Sequence, residues 1–193
     1  MTKNTAYIFV LLASLLWGST AAVGKLLLTN LDNLQVLFFT NLFAFLGLFV
    51  IVLFQKKKAI IQAYTKKDYL TFAWMGLLGV YLYAFFFYGA LQLLPAQEAF
   101  IVNYLWPIMV VVFAILILKE QITSRKILGI ICSFLGVAIV ITKGNFFALQ
   151  FGNVLGILLA IAGAVVYGLF SVLGKKQNYE KFTSMMFYYF FSF

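Results

Sequence analysis

Residues 96–111 read AQEAFIVNYLWPIMVV, and Glu98, Asn103 and Pro107 interrupt a run that is otherwise fit for lipid. Proline lacks an N–H, and its ring crowds the carbonyl four residues back, here that of Asn103. One residue therefore offers a freed backbone carbonyl and a side-chain donor and acceptor at the same depth. Polar backbone inside a bilayer persists only when it is buried in protein or faces a water-filled cavity. At about 100° per residue, Gln97, Phe100, Asn103, Tyr104 and Pro107 share one face of the helix. Two readings follow. The face lines a cavity, or Pro107 kinks the helix and Asn103 bonds a neighbouring helix.

Glu98 follows Pro95 and sits in the first turn of the same helix, where a carboxylate favours the helix dipole. Lys25 lies at a matching depth near the end of an earlier apolar run. Opposite charges at one depth in poorly hydrated surroundings cost far less together than apart, so a Lys25–Glu98 pair is expected. Snorkelling of Lys25 to the interface is the competing reading. Trp17 and Trp106 fall near the middle of their runs, away from any interfacial aromatic belt, and suit either ring stacking on a ligand or packing between helices. Asn41 has the same two readings, ligand contact or interhelical hydrogen bond. Trp74 reads as an interface anchor. Gly152 with Gly156, and Gly129 with Gly136, read as close helix packing or dimerisation.

Other chemistry is excluded by composition. The chain has no histidine, one cysteine (Cys132) and five carboxylates among 193 residues. That leaves no metal-ligand cluster, no cofactor motif and no nucleophile–base constellation, which argues against an enzyme. The net charge of +9 sits on a chain that is 65% hydrophobic and only 10% charged, with mean hydropathy +1.05. The lysines and arginines fall in short loops between apolar runs, so the basic balance is a topology signal and an attraction to anionic lipid, with no nucleic acid implied.

These elements make an all-α polytopic membrane protein. Spans are expected at 7–28, 34–54, 69–91, 96–118, 126–142 and 152–174, with a seventh starting near 183. Lys3, Lys56, Lys57, Lys58, Lys66, Lys67, Lys119, Arg125, Lys126, Lys175, Lys176 and Lys181 collect on one side, and the other side's loops carry only Lys143. The asymmetry puts the N-terminus in the cytoplasm, residues 55–68 on the same side, and 143–151 outside.

WGSTAAVGK at 17–25 and YGLFSVLGK at 167–175 align Trp17, Gly18, Gly24 and Lys25 with Tyr167, Gly168, Gly174 and Lys175. An odd number of spans separates the copies, so they run in opposite directions, the pattern of an inverted repeat. The units are expected at 1–144, a complete first repeat of five helices, and 145–193, the start of an inverted second. The sequence is then expected to be a truncated chain that a second copy or a missing C-terminal half would complete.

WGS at 17–19, LPAQEAFIVNYLWPIMVVVFAILILKE at 94–120, GIICSFLGVAIVITKG at 129–144 and the restart at 152 together resemble the EamA-domain proteins of the drug/metabolite transporter superfamily. The stretch AQEAFIVNYLWP is most similar to aromatic amino acid exporters of the YddG type. The resemblance implies a ten-helix fold of two inverted five-helix repeats around a central cavity open alternately to each side. It places Asn103, Tyr104, Trp106 and Pro107 near substrate. An arginine often found in the second span of relatives is absent around Asn41, so substrate identity does not carry over. The implied function is secondary transport, by export across the inner (plasma) membrane, of small metabolites, amino acids including aromatic ones. The alternative is a truncated, non-transporting membrane scaffold or assembly subunit.

Overall fold

The computed structural model describes residues 3–121, 123–141 and 153–193. The expected unit boundary at 144–145, the loop 143–151 with Lys143, and Gly152 lie outside the described residues. All regular structure among the described residues is helical. Helices α1 (Lys3–Leu27) and α2 (Asn33–Phe54) are followed by a short α3 (Lys58–Ala63). The third span is one unbroken rod built from α4 (Lys66–Gly76), a π-helical segment (Leu77–Leu82) and α5 (Tyr83–Leu93). The fourth is divided into α6 (Ala96–Asn103) and α7 (Trp106–Leu118). Then come α8 (Ser124–Ile141), α9 (Val154–Lys175) and α10 (Lys181–Phe190).

Among the described residues, five stretches are long and apolar enough to cross a membrane: Tyr7–Leu27, Asn33–Phe54, Lys66–Leu93, Ala96–Leu118 and Val154–Lys175. The protein is therefore an all-α polytopic membrane protein. Helix α8 occupies the stretch expected for the shortest span. Leucines and phenylalanines stand exposed along α1, α2 and α8, as lipid contact requires.

Local signals start and stop these helices. Asp32 caps α2 and Thr65 caps α4, each in a reciprocal box with the residue three positions on, Gln35 and Asp68. Pro95 precedes α6, and Lys119 ends α7 in the left-handed region at φ 55°.

Helix α9 is the hub, packed against α5, α6 and α7, while α10 packs against α2 and α4. Its inward stripe of Gly156, Ala160, Gly163, Ala164 and Gly168 is buried. Small residues at these spacings let neighbouring backbones approach, which is how helices associate when lipid removes the hydrophobic drive between them. At Gly168 a Cβ would stand 2.5 Å from the Met109 Cβ, so α7 crosses α9 at a distance only glycine permits. Among the described residues, a Cβ at Gly129 or Gly136 meets nothing within 4 Å.

Candidate functional site

The break in the fourth span falls at Tyr104–Leu105. The Leu105 N–H bonds back three residues to Val102, and α7 then starts with Pro107 in its first turn. Proline is tolerated there because that N–H has no intrahelical partner. The residue thus opens a new helix rather than bending a continuous one. The break also splits the face expected from a continuous wheel. Asn103 is buried, whereas Tyr104 and Pro107 are exposed.

A cavity of about 280 Å³ lies near mid-depth between α1, α2, the π-helical segment with α5, α6, α9 and α10. Asn41 is eight residues into α2, about 12 Å from its start at 1.5 Å per residue. The wall is aromatic, with Trp17, Tyr83, Tyr88, Tyr167, Phe170 and Tyr189 prominent. Its polar side chains include Thr20, Thr40 and Asn41, and among the described residues it has no charged group. Phe170 lies flat over Gly79 of the π-helical segment, where any Cβ would collide with the ring. π-Helical insertions gather at functional sites, and this one delivers Gly79 and Val80 to the cavity.

Of the expected site residues, Trp17 and Asn41 reach this cavity. Asn41 also satisfies its other reading, since its Nδ2 donates to the Ser192 Oγ at 3.0 Å and so joins α2 to the end of α10. Asn103 and Trp106 stand behind the wall. Asn103 Nδ2 donates to the Tyr83 hydroxyl at 3.1 Å, and the Trp106 ring meets the Tyr167 ring edge-on with centroids 5.1 Å apart. Tyr104 lines a separate, shallower cleft with Val10, Ser14, Trp17 and Gly18 of α1.

Lys25, expected to pair with Glu98, turns to backbone carbonyls. Its ammonium donates to the carbonyls of Leu91 and Leu94, the latter at 2.9 Å, and more distantly to Gln92 at 3.5 Å. The C-terminal carbonyls of α5 lack intrahelical donors and carry the negative end of the helix dipole, so one lysine satisfies several of them at once.

Residue type alone does not mark Tyr83, Tyr88, Tyr167 and Tyr189 as ligand-facing. With aromatics at 19% of the chain, a tyrosine in a span carries little signal. The one usable clue was the internal repeat, which aligns Tyr167 with Trp17, and both line the cavity. The two copies also end at opposite ends of the molecule. Lys25 meets Leu94, just before the fourth span begins, and Lys175 meets Glu120, just after it ends, at 3.0 Å. Helices α1 and α9 therefore run antiparallel.

Residues 4–142 match the EamA-like transporter family, which is most of the chain. The chain belongs to the EamA-like transporter family. This EamA-like chain is 31% identical over 113 residues to the uncharacterized transporter YyaM of Bacillus subtilis, covering 58% of the chain and 37% of that protein. It is 30% identical over 102 residues to the aromatic amino acid exporter YddG of Ancylobacter novellus, covering 52% of the chain and 36% of the exporter. A longer match, 26% over 174 residues, joins 87% of the chain to 56% of the transporter YoaV of Bacillus subtilis. The matched EamA-like segments thus span between about a third and somewhat over half of these relatives' lengths. No solved structure matches the chain at a significant level.

Proposed function

We propose that the protein acts as a secondary transporter that exports small metabolites, aromatic amino acids among them, by alternating access. The observation that carries this reading is the mid-depth aromatic cavity, to which the repeated helices α1 and α9 contribute Trp17 and Tyr167 from antiparallel directions. Substrate sites at the midplane between inverted repeats, beside broken helices, are the working geometry of such carriers. The family assignment supports transport, and the aromatic lining agrees with the name of the Ancylobacter novellus relative. In this reading residues 1–144 and 145–193 belong to two inverted units. The basic loops face the cytoplasm and the N-terminus lies with them in the plasma membrane, as the lysine asymmetry requires.

The test is counterflow of labelled phenylalanine in proteoliposomes containing the full chain. Saturable flux, reduced at least tenfold by Trp17→Ala at the cavity wall, is expected. Saturable flux untouched by Trp17→Ala would move the site elsewhere, and no flux in folded protein would favour a non-transporting membrane subunit.

A further inference from the structure

The cavity tyrosines differ in what holds them. The Tyr83 hydroxyl accepts a hydrogen bond from Asn103 Nδ2, which leaves its own proton to be donated elsewhere. The Tyr83 ring is stacked on Phe87 at 5.9 Å and leans on Tyr167 with centroids 4.8 Å apart. Tyr167 is in turn backed by Trp106 and Phe170. The hydroxyls of Tyr167 and Tyr189 have no protein partner among the described residues, yet neither belongs to the fully buried, unpaired polar atoms. Both therefore reach open space from rings that line the cavity. Three phenol donors from α5, α9 and α10 thus stand around one small space with no acceptor engaged among the described residues.

We infer that Tyr83, Tyr167 and Tyr189 form a hydrogen-bonding subsite for an acceptor group, a carboxylate or carbonyl, carried by a planar aromatic ligand, and that Asn103 is the residue that positions Tyr83. Phenols are suited to this task. Each hydroxyl donates one hydrogen bond, each ring has only two torsions to freeze, and rings already packed on one another lose little freedom on binding. The aromatic wall takes the ligand's ring, and the hydroxyls take the oxygen that would otherwise be stripped of water at mid-depth. Asn103 matters because its side chain is buried against Gly163, where a Cβ would stand 3.3 Å from its Oδ1. Nδ2 therefore holds the Tyr83 oxygen in place and leaves the phenol proton for a ligand.

This inference rests on the transport reading for its ligand class, and the experiment separates the two. Full-length protein in detergent is titrated with 3-phenylpropionate, which has a ring and an acceptor, and with phenethylamine, which has a ring and an ammonium but no acceptor. Binding is read by calorimetry. We expect 3-phenylpropionate to bind at least tenfold more tightly, the scale of one hydrogen bond to a charged group. Tyr167→Phe and Tyr189→Phe, which remove only hydroxyls, should each erase most of that ratio while leaving the melting temperature and phenethylamine binding within twofold of the parent. Tyr83→Phe and Asn103→Leu should erase the ratio in the same way. A merely structural role for Asn103 would weaken both ligands together and leave the ratio standing. Equal binding of the two ligands, or a ratio unmoved by the phenylalanine variants, overturns the subsite and leaves the aromatic cavity intact. Saturable binding of neither ligand overturns the subsite and removes the cavity as the substrate site.

Discussion

The two ends of this molecule are closed by different chemistry. At the end that gathers the basic loops, most polar contacts join residues up to 141 to residues from 153 onward. Lys57 pairs with Glu180 at 2.6 Å, and Glu120 holds Lys126 at 2.9 Å and Lys175 at 3.0 Å. Tyr179 donates to Asp68 at 2.7 Å, and the hydroxyls of Tyr64 and Thr183 meet at 2.6 Å. Beneath them Tyr64 and Tyr179 meet Phe72 edge-on, and Phe187 stacks on Phe72 with centroids 5.5 Å apart. At the other end, among the described residues, Lys25 caps the end of α5 and Asn33 Nδ2 donates to the Phe85 carbonyl at 3.1 Å. The start of α9 meets that end through apolar contact of Gly156 with Leu93 and Leu94. One closure is made of ion pairs and hydroxyls that can exchange with water. The other is backbone capped by an ammonium, with hydrocarbon packed against it. Exchangeable bonds from α9, α10 and the segment between them to the earlier helices suit a closure that must open, and caps from α1 and α2 on α5 suit a part that moves as one body.

The largest effect is expected where the contrast is sharpest. Lys25→Met keeps the length and apolar stem of the side chain but leaves several carbonyls without a donor, at a cost of roughly 1–3 kcal/mol. Thermal unfolding in detergent should show a clear fall in melting temperature. An unchanged melting temperature would mean that these carbonyls are hydrated and Lys25 is merely snorkelling. Glu180→Gln comes next. It removes the Lys57 partner and weakens the cap on α10, where Glu180 accepts from the Thr183 N–H at 2.8 Å. A cap of this kind contributes about 1 kcal/mol. The predicted signature is faster labelling of a cysteine at Tyr64 in a Cys132→Ala background, with less change in melting temperature than Lys25→Met produces. Glu120→Gln should give the smallest shift, since exposed ion pairs contribute little.

Acid titrates the same contrast. The Lys126 ammonium, and after it that of Lys175, hold the Glu120 carboxyl at about 2. Burial pushes the Glu180 carboxyl up, but the bonds from Lys57 and from the Thr183 and Phe182 backbone outweigh it and hold that group at about 2 as well. Both folded values lie below the ordinary carboxylate value of 4.5. Their stabilising contribution is therefore fully present above about pH 4.5 and disappears as pH falls toward 2. Melting curves between pH 7 and 5 should be flat in this respect, and the decline below 4.5 should be shallower in Glu180→Gln. An equal decline in parent and variant would show that Glu180 is not part of the acid response.

Much of this architecture was readable in the residues. Apolar runs of fixed length located the spans, and Pro107 located the break in the fourth, because bilayer thickness and the missing proline N–H leave few alternatives. The directions in which side chains face were less readable. Helix α7 is apolar on every side, so its sequence has no stripe from which to infer a buried face. In the third span the π-helical segment Leu77–Leu82 changes the turn, so a uniform wheel drawn from Lys66 misassigns the face of Tyr83. A wheel through 96–107 fails for the same reason at Tyr104–Leu105, where it put Asn103 and Pro107 on one side. Depth alone pairs Lys25 with Glu98, and depth does not reveal that the carbonyls at the end of α5 lie within reach.

The central claim, that substrate occupies the aromatic cavity during transport, is tested most directly by substrate protection. Ala84 lines the cavity and Leu116 is exposed on α7. Each is replaced by cysteine in a Cys132→Ala background, and the rate of alkylation by a small maleimide is measured in proteoliposomes with and without saturating phenylalanine. The account predicts that phenylalanine slows labelling of Ala84→Cys at least fivefold and leaves Leu116→Cys unchanged. Unprotected labelling of Ala84→Cys in vesicles that still show saturable phenylalanine flux would contradict it.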